Sequence, residues 1–344
     1  MPLVSQKREA QVPGRPVLAL ASQLLPISAQ SIPQTASSTT NGSGFAKLSL
    51  NGLVRYWHLL SLDAPSVATL WAWSLARAFH LALTCDSLLL LFAGTWLIYV
   101  ADRILDGLRS KNGQHSPRLR ERHFFYMRHR AAAIRVAIPV SAFLAWLVFA
   151  HMLPSARRSD ILIFVIAIAY FCLVHLRGPE IERWFPKELI VAIVFASATA
   201  VPAWSRLAAN ALAENKSELA LVAALFAALC WLNCIAIEKW ETSRNPSVAV
   251  GPAHNRHWYA ENADAITRCG QRRLRQLSAT IAAAALFAGA LLLHSALLPA
   301  ELCFAAALSA ALFLALDRSR LGAFHLRIAA DAALLTPLLI LVVR

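Results

Sequence analysis

Apolar residues in this chain form long continuous runs that polar segments interrupt. A helix needs roughly 20 mostly apolar residues to cross a bilayer, and several runs come close to that length. They lie at 66–83, 86–105, 131–153, 160–176, 188–205, 217–237, 277–297, 300–316 and 325–343. Backbone groups in lipid must be hydrogen-bonded within their own segment, so each run is predicted to be a helix. The pattern predicts an all-α membrane protein, a bundle of nine transmembrane helices.

The segment before the first run has a different character. Residues 1–50 are rich in Ser, Gln, Thr and Pro, and Glu9 is their only acid. Such a segment cannot bury enough apolar surface to fold. It is predicted to be a disordered N-terminal tail, which leaves 51–344 as the transmembrane domain. An organellar transit peptide is the alternative, because the segment contains Arg and Ser and is poor in acids.

Composition and charge agree with a membrane protein and predict its orientation. Of the 344 residues, 58% are hydrophobic and 15% are charged, whereas soluble chains average about 45–50% and about 25%. The tail and the segments after the second, fourth, sixth and eighth runs hold 26 of the 33 Lys and Arg residues, and the opposite side holds 6. Basic segments stay on the cytoplasmic side, so the N-terminus is predicted to be cytoplasmic and the C-terminus outside.

The formal net charge of +14 follows largely from this distribution. Basic inner segments attract anionic lipid headgroups, so the lipid bilayer is an expected partner. Nucleic-acid binding requires a folded basic surface with stacking aromatic residues, and it is not expected here. The expected location is the bacterial inner membrane.

Cysteine and histidine positions do not predict a metal or disulfide framework. Most of the six cysteines lie in or beside apolar runs, and no Cys-x-x-Cys occurs. They are predicted to be reduced and buried. Histidines are scattered, with His115, His123 and His129 in one inner loop and His254 and His257 in another, and none shows a ligand spacing on a predicted helix.

Candidate chemistry appears in the stretch TWLIYVADRILDGLR, at the inner end of the second run. On a helix, Asp102 and Asp106 are one turn apart and point the same way. Their mutual repulsion and their predicted place at the negative, C-terminal end of a helix both favour a nearby cation. Arg103 and Arg109 are the simplest candidates, as interfacial salt bridges. Mg²⁺ is the other candidate, because it binds one or two carboxylates together with water and phosphate oxygens.

The wider pattern resembles the UbiA superfamily of intramembrane prenyltransferases, over about residues 53–344. Members of that family carry an Asp-rich motif after helix 2, usually Asn-Asp-x-x-Asp-x-x-x-Asp. Here the corresponding stretch reads IYVADRILD. Asp102 and Asp106 match the motif, while Ile98 and Tyr99 replace its leading Asn and Asp.

The family's second Asp-rich motif follows helix 6 and corresponds here to LNCIAIEKWE, residues 232–241. Asn233 and Glu241 match it. Ile237 stands where an Asp is usual, and Glu238 is a nearby substitute.

Two further stretches fit the resemblance. The sequence Leu-Asp-Ala-Pro at 62–65 is similar to the family's entry motif before helix 1, with Ser61 in its basic position. Lys187 opens the fifth run, where the family often has a Lys that contacts diphosphate. Its alternative role is an ordinary interfacial lysine whose charge reaches the membrane surface, with Glu188 neutralising it.

The resemblance implies a transferase of prenyl groups that uses Mg²⁺. An isoprenyl diphosphate would ionise, and the allylic cation would alkylate a lipophilic or aromatic acceptor within the bundle. The implied metal ligands are Asp102, Asp106, Glu238 and Glu241. The implied catalytic residues are Asp102, Asp106 and Lys187, and the implied substrate-binding residues are Lys187, Asn233, Arg103 and Arg109.

Two other functions remain open from the sequence. The chain could be a non-catalytic UbiA-like membrane protein that binds an isoprenoid or pigment or scaffolds a partner. A transporter is the third alternative, although paired Gly- or Pro-broken helices in two matching halves are absent. Arg327 and Asp331, one helical turn apart within the last run, are predicted to hold helices together, or alternatively to support an active site.

Overall fold

The computed structural model describes residues 50–111, 121–152, 154–176, 186–207, 213–244 and 265–339, and within these the regular structure is entirely helical. A π-helical turn, Leu147–His151, continues the fifth helix. The helices are α1 Leu50–Leu59, α2 Asp63–Ala78, α3 Cys85–Lys111, α4 Glu121–Arg128, α5 Arg130–Trp146, α6 Pro154–Leu176, α7 Lys187–Leu207, α8 Ala213–Arg244, α9 Ala265–Arg272, α10 Leu274–Leu292, α11 Leu297–Arg318 and α12 Ala323–Ala333. The predicted tail, 1–49, lies outside the described residues.

Each of the nine apolar runs overlaps one of these helices, so the helix prediction is confirmed for all of them. Six helical segments of the described chain are long and apolar enough to cross a membrane. They are Cys85–Leu108, Arg130–His151, Lys187–Leu207, Asn215–Ser243, Leu274–Leu292 and Leu297–Arg318. The chain is therefore a helical membrane protein, while the count of nine spans and the inward N-terminus stay predictions.

Three short helices were not predicted, namely α1, α4 and α9. Each has ten residues or fewer, which is too short for a search based on spanning length. Helix α4 packs against α3 where Gly107 leaves room for it. A Cβ atom at Gly107 would lie 2.6 Å from Cγ of Met127 in α4.

The buried core lies mainly among α2, α7, α8, α10, α11 and α12, where small side chains allow close packing. Gly289 of α10 lies directly against the Phe304 ring of α11. Close contact between small residues is a usual way for membrane helices to associate, since lipid is as apolar as the helices themselves.

Trp71 connects three of these helices. Its fully buried ring stacks on Phe226 of α8, with ring centroids 4.3 Å apart. Its indole N–H donates to the backbone carbonyl oxygen of Leu334, just after α12, at 2.8 Å. A buried tryptophan needs such an acceptor, so this bond holds α2 next to the end of α12.

Candidate functional site

Asp102 and Asp106 lie on α3, and the nearest described partner of Asp102 is its neighbour in sequence. Arg103 donates from Nη1 to Oδ2 of Asp102 at 2.5 Å, and its guanidinium lies 5.7 Å from the Tyr99 ring centroid. Of the two arginines that the sequence offers as salt-bridge partners, Arg103 therefore makes such a contact with Asp102. Asp106 is half-buried, and the side chain of Arg109 lies outside the described residues.

The structure corrects one premise about this pair. Helix α3 runs on to Lys111, so both aspartates are more than one turn from its last residue. The effect of the helix dipole is confined to the final turn. Repulsion between the two carboxylates remains as the local reason for a cation, and the helix dipole contributes little.

A cavity of about 280 Å³ lies beside the same part of α3. It is lined by Ile104, Gly107, Leu108, Tyr126, Met127 and Arg130. These residues come from α3, α4 and the start of α5.

Helices α3, α7 and α8 bring the predicted residues to one end of the domain. Arg206, near the end of α7, donates to Oγ of Ser87, near the start of α3, at 3.0 Å. The two helices are thus antiparallel, and the end of α3 with Asp102 and Asp106 is on the same side as the start of α7 with Lys187.

The start of α7 is linked in turn to the far end of α8. Thr267 of α9 donates to Oε2 of Glu188 at 2.8 Å. Lys187 and Glu238 both act electrostatically on the Glu188 carboxyl group. Glu238 therefore belongs to the same end of the domain as Lys187, in agreement with the order of the helices.

The residues of the second predicted motif bond to α12. Asn233 donates from Nδ2 to Oδ1 of Asp331 at 3.1 Å. Arg327 donates from Nη1 to Oε1 of Glu241 at 2.6 Å. Arg327 and Asp331 hold helices together, as predicted, and they do so by contacting α8.

Asp331 also belongs to a buried group that the sequence analysis missed. His58 Nδ1 lies 3.1 Å from Oδ2 of Asp63 and 3.9 Å from Oδ2 of Asp331. These three come from α1, α2 and α12. Asp63 is the aspartate of the Leu-Asp-Ala-Pro stretch, which was the only available signal. His58 was missed because it is a single histidine without a ligand spacing.

A second buried carboxylate joins three other helices. Asp317 of α11 accepts from Lys239 Nζ at 2.9 Å, from Trp240 Nε1 at 2.9 Å and from Arg275 Nε at 2.7 Å. Lys239 and Trp240 lie between Glu238 and Glu241 in α8. This carboxylate therefore fixes the part of α8 that carries both predicted acids.

The donor set on α3 suits the metal that the resemblance implies. Mg²⁺ binds through one or two carboxylates and keeps water or phosphate oxygens as its other ligands. Asp102 and Asp106 supply carboxylates, and the Asp102 side chain stays 28% exposed beside Arg103. A different group of three metal-binding side chains lies close together among the described residues. It consists of His58, Asp63 and Asp331, whose ligand atoms all lie within 4.8 Å of one another.

Comparisons with protein-family models, with curated proteins and with solved structures gave no match for this chain. The resemblance to UbiA prenyltransferases therefore stays an expectation based on the quoted motifs.

Proposed function

We propose that this chain is an intramembrane prenyltransferase that transfers a polyisoprenyl group from an allylic diphosphate to a lipophilic or aromatic acceptor. The proposal is supported by the placement of Asp102, Asp106, Lys187 and Glu238 at helix ends on the same side of the domain. Their helices are connected through Ser87–Arg206 and through Glu188. Charged residues in membrane helices are costly and generally functional.

In the proposed reaction the bond between the allylic carbon and the diphosphate oxygen breaks, and its electron pair leaves with the diphosphate. The allylic cation then bonds to the acceptor, which loses a proton. Lys187 and Arg103, with Arg109 and Asn233, would contact the diphosphate. Fixed positive charges of this kind stabilise the negative charge on the leaving group.

Mg²⁺ would be held by Asp102 and Asp106, with Glu238 and Glu241 as further ligands. When bound, it supplies Lewis-acid stabilisation of the leaving diphosphate. The apolar helices would hold the isoprenoid tail and exclude water from the reacting carbon. Membrane helices Cys85–Leu108 and Asn215–Ser243 provide such apolar surface.

The test is Mg²⁺-dependent release of diphosphate from farnesyl or geranylgeranyl diphosphate by the purified chain in lipid nanodiscs. Asp102→Asn and Asp106→Asn should abolish release, because each removes a charged oxygen ligand. Asp86→Asn is the matched control, since Asp86 lies at the opposite end of the same helix. Absence of release from the unchanged chain, or full release from both variants, would contradict the proposal.

One observation favours a second candidate function, a non-catalytic isoprenoid-binding protein. Glu241 and Asn233 already bond to Arg327 and Asp331, so part of the second motif has a structural role. This alternative predicts binding of an isoprenoid or its diphosphate without diphosphate release. A binding titration beside the release assay separates the two functions.

A further inference from the structure

Three side chains with metal-binding atoms, none of them predicted as a ligand, meet inside the domain. His58 ends α1, Asp63 starts α2, and Asp331 lies in α12. The His58 and Asp63 side chains are each 4% exposed and that of Asp331 is 12% exposed. Residues far apart in sequence thus converge on a single imidazole nitrogen in a protected interior.

Each carboxylate is oriented by a hydrogen bond to its other oxygen. Asp63 Oδ1 accepts from the backbone N–H of Ala64 at 3.0 Å, and Asp331 Oδ1 accepts from Asn233 Nδ2 at 3.1 Å. Both therefore present Oδ2 towards Nδ1 of His58. Metal sites use outer hydrogen bonds of this kind to orient their carboxylate ligands.

The distances are close to those between ligands that share one metal ion. An ion about 2.1 Å from each ligand places neighbouring ligands about 3.0–3.4 Å apart. The Asp63 distance of 3.1 Å falls in that range, and the Asp331 distance of 3.9 Å lies outside it. A rotation of the Asp331 carboxylate that brings Oδ2 about 0.5 Å nearer to Nδ1 of His58 would bring this distance into the same range.

Unsatisfied polar atoms beside the three residues form an independent sign of a missing bound species. Within the described chain, Ser61 Oγ and Asn233 Oδ1 are buried oxygens that lack a hydrogen-bond partner. Ser61 lies in the turn between His58 and Asp63 and is 0% exposed. Asn233 donates through its other atom, Nδ2, to Asp331. Buried unsatisfied groups in one place indicate an ion or water that belongs there.

From these observations we infer that His58, Asp63 and Asp331 form a binding site for a divalent transition-metal ion. An imidazole with two carboxylates suits Zn²⁺ and similar ions, whereas an all-oxygen set suits Mg²⁺. The ion would bind to Nδ1 of His58, and the proton of the neutral ring would then be carried by Nε2. It would link α1, α2 and α12. This site is additional to the proposed prenyl transfer and does not depend on it.

The experiment uses the full chain in detergent, freed of metal by a chelator and titrated with Co²⁺ or Zn²⁺. We expect stoichiometric Co²⁺ uptake with visible absorption bands, and His58→Gln and Asp331→Asn should each weaken binding more than about tenfold. Zn²⁺ should raise the melting temperature of the unchanged chain, since a ligand that binds only the folded state stabilises it. The Asp331→Asn variant should not show this rise.

The controls distinguish this site from other metal-binding groups. His151→Gln alters a more exposed histidine, 44% exposed and 3.6 Å from Asp86, and should bind Co²⁺ normally. If His58→Gln does not fold, Asp331→Asn decides the question. Absence of Co²⁺ uptake, unchanged affinity in Asp331→Asn, or lost affinity in His151→Gln would overturn the inference.

Discussion

Asp102 of α3 and Asp331 of α12 are both aspartates in apolar helices, but their surroundings differ. Asp102 pairs with Arg103, the next residue in the chain. The contacts of Asp331 are with His58 and Asn233, which belong to two other helices. A contact between sequence neighbours does not hold helices together, whereas contacts between distant residues do. We therefore expect the charges near α12 to stabilise the fold more than those on α3.

The packing of the helices shows the same contrast. In the apolar 18-residue stretch of the span Arg130–His151, 6% of residues are buried within the protein, whereas in that of Leu297–Arg318 the share is 56%. The first helix presents large apolar side chains outwards, such as Ile138 and Phe149. The second is surrounded by other helices. Substitutions should consequently have larger effects in the C-terminal helices.

The largest effect is expected for Asp317→Asn. The change removes the charge that Lys239 and Arg275 share, and it places an N–H group near their donors. Loss of one partner from a buried ion pair costs about 3–5 kcal/mol, and the exposure of Arg275 places the expected loss near 3 kcal/mol. The measurement is the free energy of unfolding in mixed detergent micelles.

Asp86→Asn provides the comparison for Asp317→Asn. The Asp86 side chain is 41% exposed and lies 3.6 Å from His151. Exposed pairs contribute at most about 1 kcal/mol. Equal losses in the two variants would contradict the contrast between buried and exposed carboxylates.

Arg327→Met should have the next largest effect, because it removes a buried cation that pairs with Glu241. We expect a loss of about 2 kcal/mol. The double variant Arg327→Met with Glu241→Gln should recover part of this loss, with a coupling energy of about 1–2 kcal/mol. Strictly additive single effects would show that the pair does not hold α8 to α12.

Much of the fold was predictable because apolar runs report helices directly. Each of the nine apolar runs contains a helix, and Asp63 begins α2 within a stretch that the sequence analysis had noted. The short helices α1, α4 and α9 were missed, since their polar, brief sequences give no spanning signal. Shape complementarity, such as that of Gly289 against Phe304, decides which helices lie next to one another. Hydropathy does not encode this complementarity.

The candidate site was less predictable than the fold. Asp102 and Asp106 were visible because their spacing is local, and Arg327 and Asp331 were visible for the same reason. The partners of Arg327 and Asp331 were not, since Glu241 and Asn233 are more than eighty residues away. His58 was missed because a single histidine before a helix has no distinguishing spacing.

The variant Gly289→Ala tests the contrast between closely packed and loosely packed helices. A Cβ atom at Gly289 would lie 2.6 Å from the Phe304 ring, and no atom lies within 4 Å of one at Gly94. Overpacking costs about 1–3 kcal/mol, so we expect Gly289→Ala to lose about 1.5 kcal/mol. Gly94→Ala should be neutral or stabilising by up to about 1 kcal/mol. Thermal unfolding of both variants measures this, and a similar loss in Gly94→Ala would contradict the packing contrast.

The smallest effect on stability is expected for Asp102→Asn. The variant loses a partly exposed contact with Arg103, worth about 0–1 kcal/mol. It also loses repulsion from Asp106, one turn away, worth about 0.2–0.5 kcal/mol in the opposite direction. The two changes nearly cancel, so the free energy of unfolding should stay within about 0.5 kcal/mol of the unchanged chain. A loss as large as that of Asp317→Asn would mean that Asp102 holds the fold together, and the case for a functional carboxylate on α3 would then fail.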